Sequence, residues 1–238
     1  MSHPPASPHP HAHNMRLHLP ADTVRVAKAA TVGTKTDFKA LLASSLQESH
    51  LDAGARNKHS SATGAYQFTE RTWLDLMRRH GAALGQADLA ARITLKDGEP
   101  IVADAGKRAD ILALRSDNAL AGALAARYFE ENRASLGHSL GRKPSDNEVR
   151  MAYLLGAHGA TRLIKAAQTH PDLGADKVIG SAVRHNPGLF HNHDGTVTTA
   201  RQAVASLNRH FEAAMARVKG ALGREYSFDA TPVDDDAV

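Results

Sequence analysis

Apolar residues return every three or four positions along most of the chain, the spacing that gathers side chains on one helical face. In the first such stretch Phe38, Leu41, Leu42, Ser45, Leu46 and Ser49 share a face. That helix ends in Gln47-Glu48-Ser49, and the chain leaves it around Asp52 to Gly54. A second helix opens at Thr69, its N-cap, with Glu70 in the first turn. Trp73, Leu76, Met77 and His80 line one side of it, and Gly81 ends it. The helical pattern continues over 86–93 and 107–114, then over 117–136, where Ser116 is the expected cap and Gly137 the stop. Ser145-Asp146-Asn147-Glu148 is a capping box; its helix runs through Val149, Met151, Ala152 and Leu155 and stops at Gly156. Helices over 161–168 and 175–184 follow, then a loop over 185–190. A last helix over about 199–219 has Val204, Leu207, Phe211, Met215 and Val218 on one face. One segment breaks the rule. Thr94 to Val102 places Asp97-Gly98 between β-prone pieces, which predicts a very short hairpin. The expected class is mainly α.

With 238 residues the chain is long enough for one well-packed domain. The domain is expected over 36–222. Residues 1–35 read as a disordered Pro/His-rich segment, with a short helix or linker over 21–35, and 223–238 as a solvated acidic tail carrying three successive aspartates. The first residues have neither the basic start nor the apolar centre of a signal peptide. No run of about eighteen apolar residues occurs, so no membrane span is expected. A net charge of +4 suits an anionic polymer, yet no basic–aromatic motif points to nucleic acid. There is no cysteine, hence neither disulfide nor thiolate site. Among fifteen histidines His191 and His193 stand at a spacing that could grip a metal in a strand-like loop, without a carboxylate or third histidine at ligand spacing, and those of the N-terminal segment would bind metal only adventitiously, so neither metal nor cofactor is expected.

Chemistry concentrates around the first helix end. On a helical wheel Glu48 falls about 80° from Phe38, at the border of the apolar face. A carboxyl there is expected to be partly desolvated and close to the negative end of the helix dipole; both favour the protonated form that a general acid needs. The small-residue run Ser60-Ser61-Ala62-Thr63-Gly64 follows, with Gly64 free to take a positive φ. Tyr66 and Gln67 come next, a ring to lie against a sugar and an amide to bond its hydroxyls.

Glu48-Ser49, Ser61 to Phe68 and Thr72-Trp73 together resemble the soluble lytic transglycosylase (SLT) family. The match is strongest over 38–80 and weaker to about Gly220. The resemblance implies a lysozyme-like, goose-type helical fold. It also implies cleavage of the β-1,4 bond between N-acetylmuramic acid and N-acetylglucosamine in peptidoglycan, leaving 1,6-anhydro ends. Glu48 would act as the single acid and then base, Ser61 and Gln67 would orient it or the substrate, and Tyr66 and Tyr153 would form cleft walls. Ala152 to Gly159 resembles the family's Ala-Tyr-Asn-Ala-Gly element but has Leu154 where that pattern has Asn, and Phe190 stands in for a late cleft tyrosine. The implied partner is the glycan strand, in wall turnover or in a flagellar, secretion or phage assembly. The implied location is the periplasm or envelope; without a signal peptide the protein would leave by another route, be released by lysis, or be shown here without its original start. Two alternatives stay open: a hydrolytic muramidase using Asp52 or Glu70 as second carboxyl, and a non-catalytic wall-binding or secretion-apparatus component.

Overall fold

A computed structural model describes residues 17–227. Eleven α-helices and one hairpin make up its regular structure: α1 (Ala21–Ala30), α2 (Phe38–Ser49), α3 (Glu70–His80), α4 (Ala87–Ala90), β1 (Thr94–Lys96), β2 (Glu99–Ile101), α5 (Ala105–Ala113), α6 (Asn118–Leu140), α7 (Asp146–Thr169), α8 (Ala175–Ile179), α9 (Ser181–His185), α10 (Pro187–Phe190) and α11 (Ala200–Ser227). The mainly α class and the hairpin are as the residue pattern predicts. In β1–β2 Thr94 pairs with Ile101 and Lys96 with Glu99, and the turn is made by Asp97 and Gly98, both at positive φ. Among the described residues no helix is long and apolar enough to cross a membrane.

α6 and α7 pack on each other, and α11 lies across α7 and α2. These long helices bury Leu41, Leu124, Phe129, Leu136, Met151, Leu163 and Val218 in a continuous apolar core. Phe211 and Val218 of α11 belong to it, as their spacing predicts, whereas Val204 and Met215 pack at its edge. Trp73 is fully buried and its indole Nε1 donates to the Ile111 carbonyl at 2.7 Å, tying α3 to α5.

Several expected boundaries move, each for a local reason. The 21–35 segment is part of the packed domain rather than a linker. Leu19, Val24 and Ala27 are buried, α1 lies on α6, and Thr36 Oγ1 donates to the Ala126 carbonyl at 3.2 Å. Helix α6 is capped by Asp117, which accepts from Ala119 and Leu120, and it runs through Gly137 to Gly141, which takes the left-handed conformation. The 86–93 stretch shortens to α4, preceded by a 3-10 turn over Ala82–Leu84. Gly180, at φ 47°, splits the expected 175–184 helix into α8 and α9, and Pro187 starts α10 inside the expected loop. Helix α11 continues to Ser227, beyond the expected start of the acidic tail; the remainder of that tail and residues 1–16 lie outside the described residues.

Gly156 is where α7 breaks. Its φ of 69° and ψ of 157° are non-helical, so the two halves of α7 meet at a kink where the sequence predicts a stop.

Candidate active site

Helix α2 is short and fixed at both ends. Asp37 caps its start by accepting from the Lys39 amide at 2.9 Å. At the other end His50 and Leu51 both adopt positive φ, 57° and 70°, and the chain reverses at once. That reversal leaves Glu48 in the last helical turn with only Ser49 beyond it. Ser49 Oγ donates to the Ala65 carbonyl at 2.8 Å, which locks the helix end to the following loop.

The loop from Ala55 to Phe68 is held by its carbonyls. Arg115 Nη1 donates to Ser61 O at 2.5 Å and to Phe68 O at 3.3 Å. The Asn57 amide donates to Ala62 O, Ser49 to Ala65 O, and Tyr153 Oη to Tyr66 O at 2.8 Å. Gln67 Nε2 donates to Gly64 O at 2.9 Å and to Ala55 O at 3.3 Å. A loop that leaves buried carbonyls unpaired would be costly; this one leaves few. Gly64 is required here: at φ 84°, a Cβ on it would lie 2.1 Å from the Arg115 carbonyl oxygen. Gln67, a non-glycine at φ 48°, is held in the same sparsely populated region by those two amide bonds.

Two cavities flank Glu48. The larger, of about 850 Å³, lies between the loop, α3, α6 and the α7 kink, and is lined by Gln67, Phe68, Thr72, Tyr128 and Tyr153 among others. The smaller, of about 510 Å³, lies between α2, α7 and α11. Glu48, Leu154 and Asn186 line both. Among the described residues Glu48 is the sole carboxyl on either wall.

Arg150, on α7, meets that carboxyl. Its Nη2 donates to Glu48 Oε1 at 2.6 Å, and its Nε donates to Gln47 Oε1 at 3.3 Å. The pair is largely buried, the side chains being 10% and 19% exposed. The guanidinium also lies 5.2 Å from the Tyr153 ring centre, and Tyr153 stacks in turn among Phe68, Tyr128 and Phe129. Burial pushes the Tyr153 phenol well above its ordinary value, and the Tyr128 phenol up. Both are neutral donors at any working pH. Where the sequence predicts an isolated acid at the groove edge, the structure gives it a guanidinium partner. Glu48 Oε2 has no hydrogen-bond partner among the described residues.

No protein-family model matches this chain. The geometry therefore stands by itself. It brings together Glu48, Gln67 and Tyr153, as the sequence predicts, but separates others. Tyr66 is a correction: its ring is 3% exposed, packs beside Phe68 and against Gly122, and lines neither cavity. Burial also raises its phenol. Ser61 is a second correction, since its Oγ accepts from the Glu70 amide at the start of α3 and its neighbour Ser60 lines the larger cavity instead. Phe190 is fully buried in the core, and Asn186 and Pro187 occupy the cavity wall in its place. Asp52 accepts from the Gly54 amide and Glu70 pairs with Arg108; neither lines a cavity. No group of three or more histidines and carboxylates among the described residues is placed to hold a metal ion.

Three site residues escape sequence reasoning: Arg150, Tyr128 and Asn186. For Arg150 a signal existed. It stands three residues before Tyr153, on the same face of α7.

Proposed function

We propose that this chain is a peptidoglycan lytic transglycosylase, with the larger cavity as its glycan cleft and Glu48 as its one catalytic carboxyl. The observation that carries this reading is that, among the described residues, Glu48 is the only carboxyl on a cleft wall that also holds Tyr128, Tyr153 and Gln67. The resemblance of Glu48-Ser49 and of 61–68 to the SLT pattern supplies the substrate class and the lysozyme-like comparison.

In this mechanism Glu48 Oε2 carries a proton and gives it to the glycosidic oxygen as the bond to the muramyl C1 breaks. The resulting carboxylate, with Oε1 steadied by Arg150, takes the proton from the muramyl C6 hydroxyl. That oxygen attacks C1 and closes the 1,6-anhydro ring, so no water is consumed. Tyr128 and Tyr153 present ring faces to the sugar, and the Gln67 carbonyl, left free by the two bonds of its Nε2, accepts from a hydroxyl or N-acetyl group. A hydrolase of this scaffold would generally need a second carboxyl. With Asp52 and Glu70 away from both cavities, a single-carboxyl reaction is the better fit.

A second reading is favoured by one observation. The ion pair of Glu48 with Arg150, together with Leu154 in the place of the family's Asn, suits a wall-binding component that retains the cleft without the reaction. Product analysis separates the two. Wild-type protein incubated with purified walls should release fragments ending in 1,6-anhydro-muramic acid, and Glu48→Gln should fold normally and lower that release by about a thousandfold or more. Retention on insoluble walls with no soluble product would favour the binding component. Full lysis by Glu48→Gln would sink the catalytic assignment.

A further inference from the structure

The smaller cavity differs in chemistry from the cleft it adjoins. Leu46, Met151, Leu207 and Ala214 are buried and form its floor, and Leu154 and Leu189 are half-buried at its side. Among the described residues no Phe, Tyr or Trp lines it, so it lacks the broad apolar ring faces of the cleft. Its polar groups are two guanidinium groups, Arg150 and Arg217, two imidazoles, His50 and His210, and the amides of Gln47, Asn147 and Asn186. Against them stands only Glu48, already matched by Arg150. Arg217, His210 and His50 have no side-chain hydrogen bond or ion pair among the described residues, while Asn147 is committed to Glu212 at 2.8 Å. An aliphatic floor under unpaired cations fits a small apolar ligand that carries a carboxylate. At about 510 Å³ the cavity has room for a ligand of a few residues.

We propose that this cavity, resting on the reading of the cleft given above, binds the short peptide carried by the muramyl sugar, with its alanyl methyl groups on Met151, Leu207 and Ala214 and a carboxylate on Arg217. The placement follows from the shared wall. A muramyl residue held at Glu48 has its peptide substituent beside Leu154 and Asn186, the two other residues common to both cavities. The cleft then reads the glycan, and the second cavity reads whether the glycan is substituted.

The test uses the whole chain and the free tetrapeptide L-Ala-γ-D-Glu-L-Lys-D-Ala, titrated by calorimetry. Saturable binding is expected, weakened at least tenfold by Arg217→Glu and unchanged by Arg25→Ala, an exposed site on α1 that lines neither cavity. Arg217 is on the exposed side of α11, so the variant is expected to fold, which circular dichroism checks. In a parallel digestion, Arg217→Glu should slow release from intact walls at least fivefold and leave release from amidase-stripped glycan at the wild-type rate. No saturable binding, or equal affinity in Arg217→Glu, overturns the inference. If Glu48→Gln still lyses walls while the tetrapeptide binds through Arg217, the catalytic reading falls and the peptide site stands. If Glu48→Gln is inert and Arg217→Glu binds the tetrapeptide normally, the reverse holds.

Discussion

Two arginines are buried alike, each 8% exposed, and do opposite things. Arg115 sits behind the 55–68 loop and spends its guanidinium on neutral backbone carbonyls: Leu112, Ser61 and Phe68. Burial without a close counter-charge lowers its pKa. Arg150 sits behind the end of α2 and spends its charge on a carboxylate and an amide side chain. The first region is a fixed wall whose acceptors cannot change state. The second is a pair in which one member can take up a proton and can be reached from a cavity. A buried cation that serves the backbone marks architecture, and one that serves a cavity-lining acid marks chemistry.

Replacing each arginine with methionine tests that distinction. Arg115→Met should be the more damaging, costing about 3 kcal/mol or more in urea unfolding, because three carbonyls lose a charged donor and water cannot readily replace it. Arg150→Met should cost about 2 kcal/mol, since the carboxylate left behind can protonate or hydrate from its cavities. Its larger signature should be functional: wall lysis should fall at least tenfold, because Glu48 Oε1 loses the donor that fixes its position. If Arg115→Met proves as mild as a surface change, the loop is held by other means and the comparison fails.

The smallest effect concerns the foot of α7. Two hydrogen bonds from Arg142, aided by the Ser145 amide, hold the Glu148 carboxyl below the usual carboxylate range. A depressed folded-state pKa contributes stability that is present above the unfolded value and is lost as pH falls through the folded one. Wild-type unfolding midpoints should therefore drop as pH falls below the ordinary carboxylate range, beyond the drop seen in Glu148→Gln. Matching slopes for the two proteins would show that the capping box carries no pH-dependent stability.

The helices were readable from the three-and-four spacing of Phe38, Leu41 and Leu42, or of Phe211 and Val218, because burial of one face is what makes those helices persist. The caps at Thr69 and Ser145 were readable as well, since the hydroxyl has to be there. What stayed hidden depends on contacts distant in sequence. Tyr66 beside Gln67 in a loop looks like a displayed ring, and only the approach of α6 at Gly122 shows that it points inward. Arg115 and Arg150 count as surface residues in any hydrophobic pattern, because a charged side chain is buried only where distant partners meet it. Asn186 joined the site only because the chain between α9 and α10 folds back to the cavity walls that it shares with Glu48.

The chain's single tryptophan is sealed in the core, bonded to Ile111, with Phe68 between it and the larger cavity. Its emission should thus be an internal gauge of intactness, blue in the native protein and red once the α3–α5 contact opens. Ligands filling the smaller cavity, whose walls hold none of the rings packed on Trp73, should leave the spectrum still.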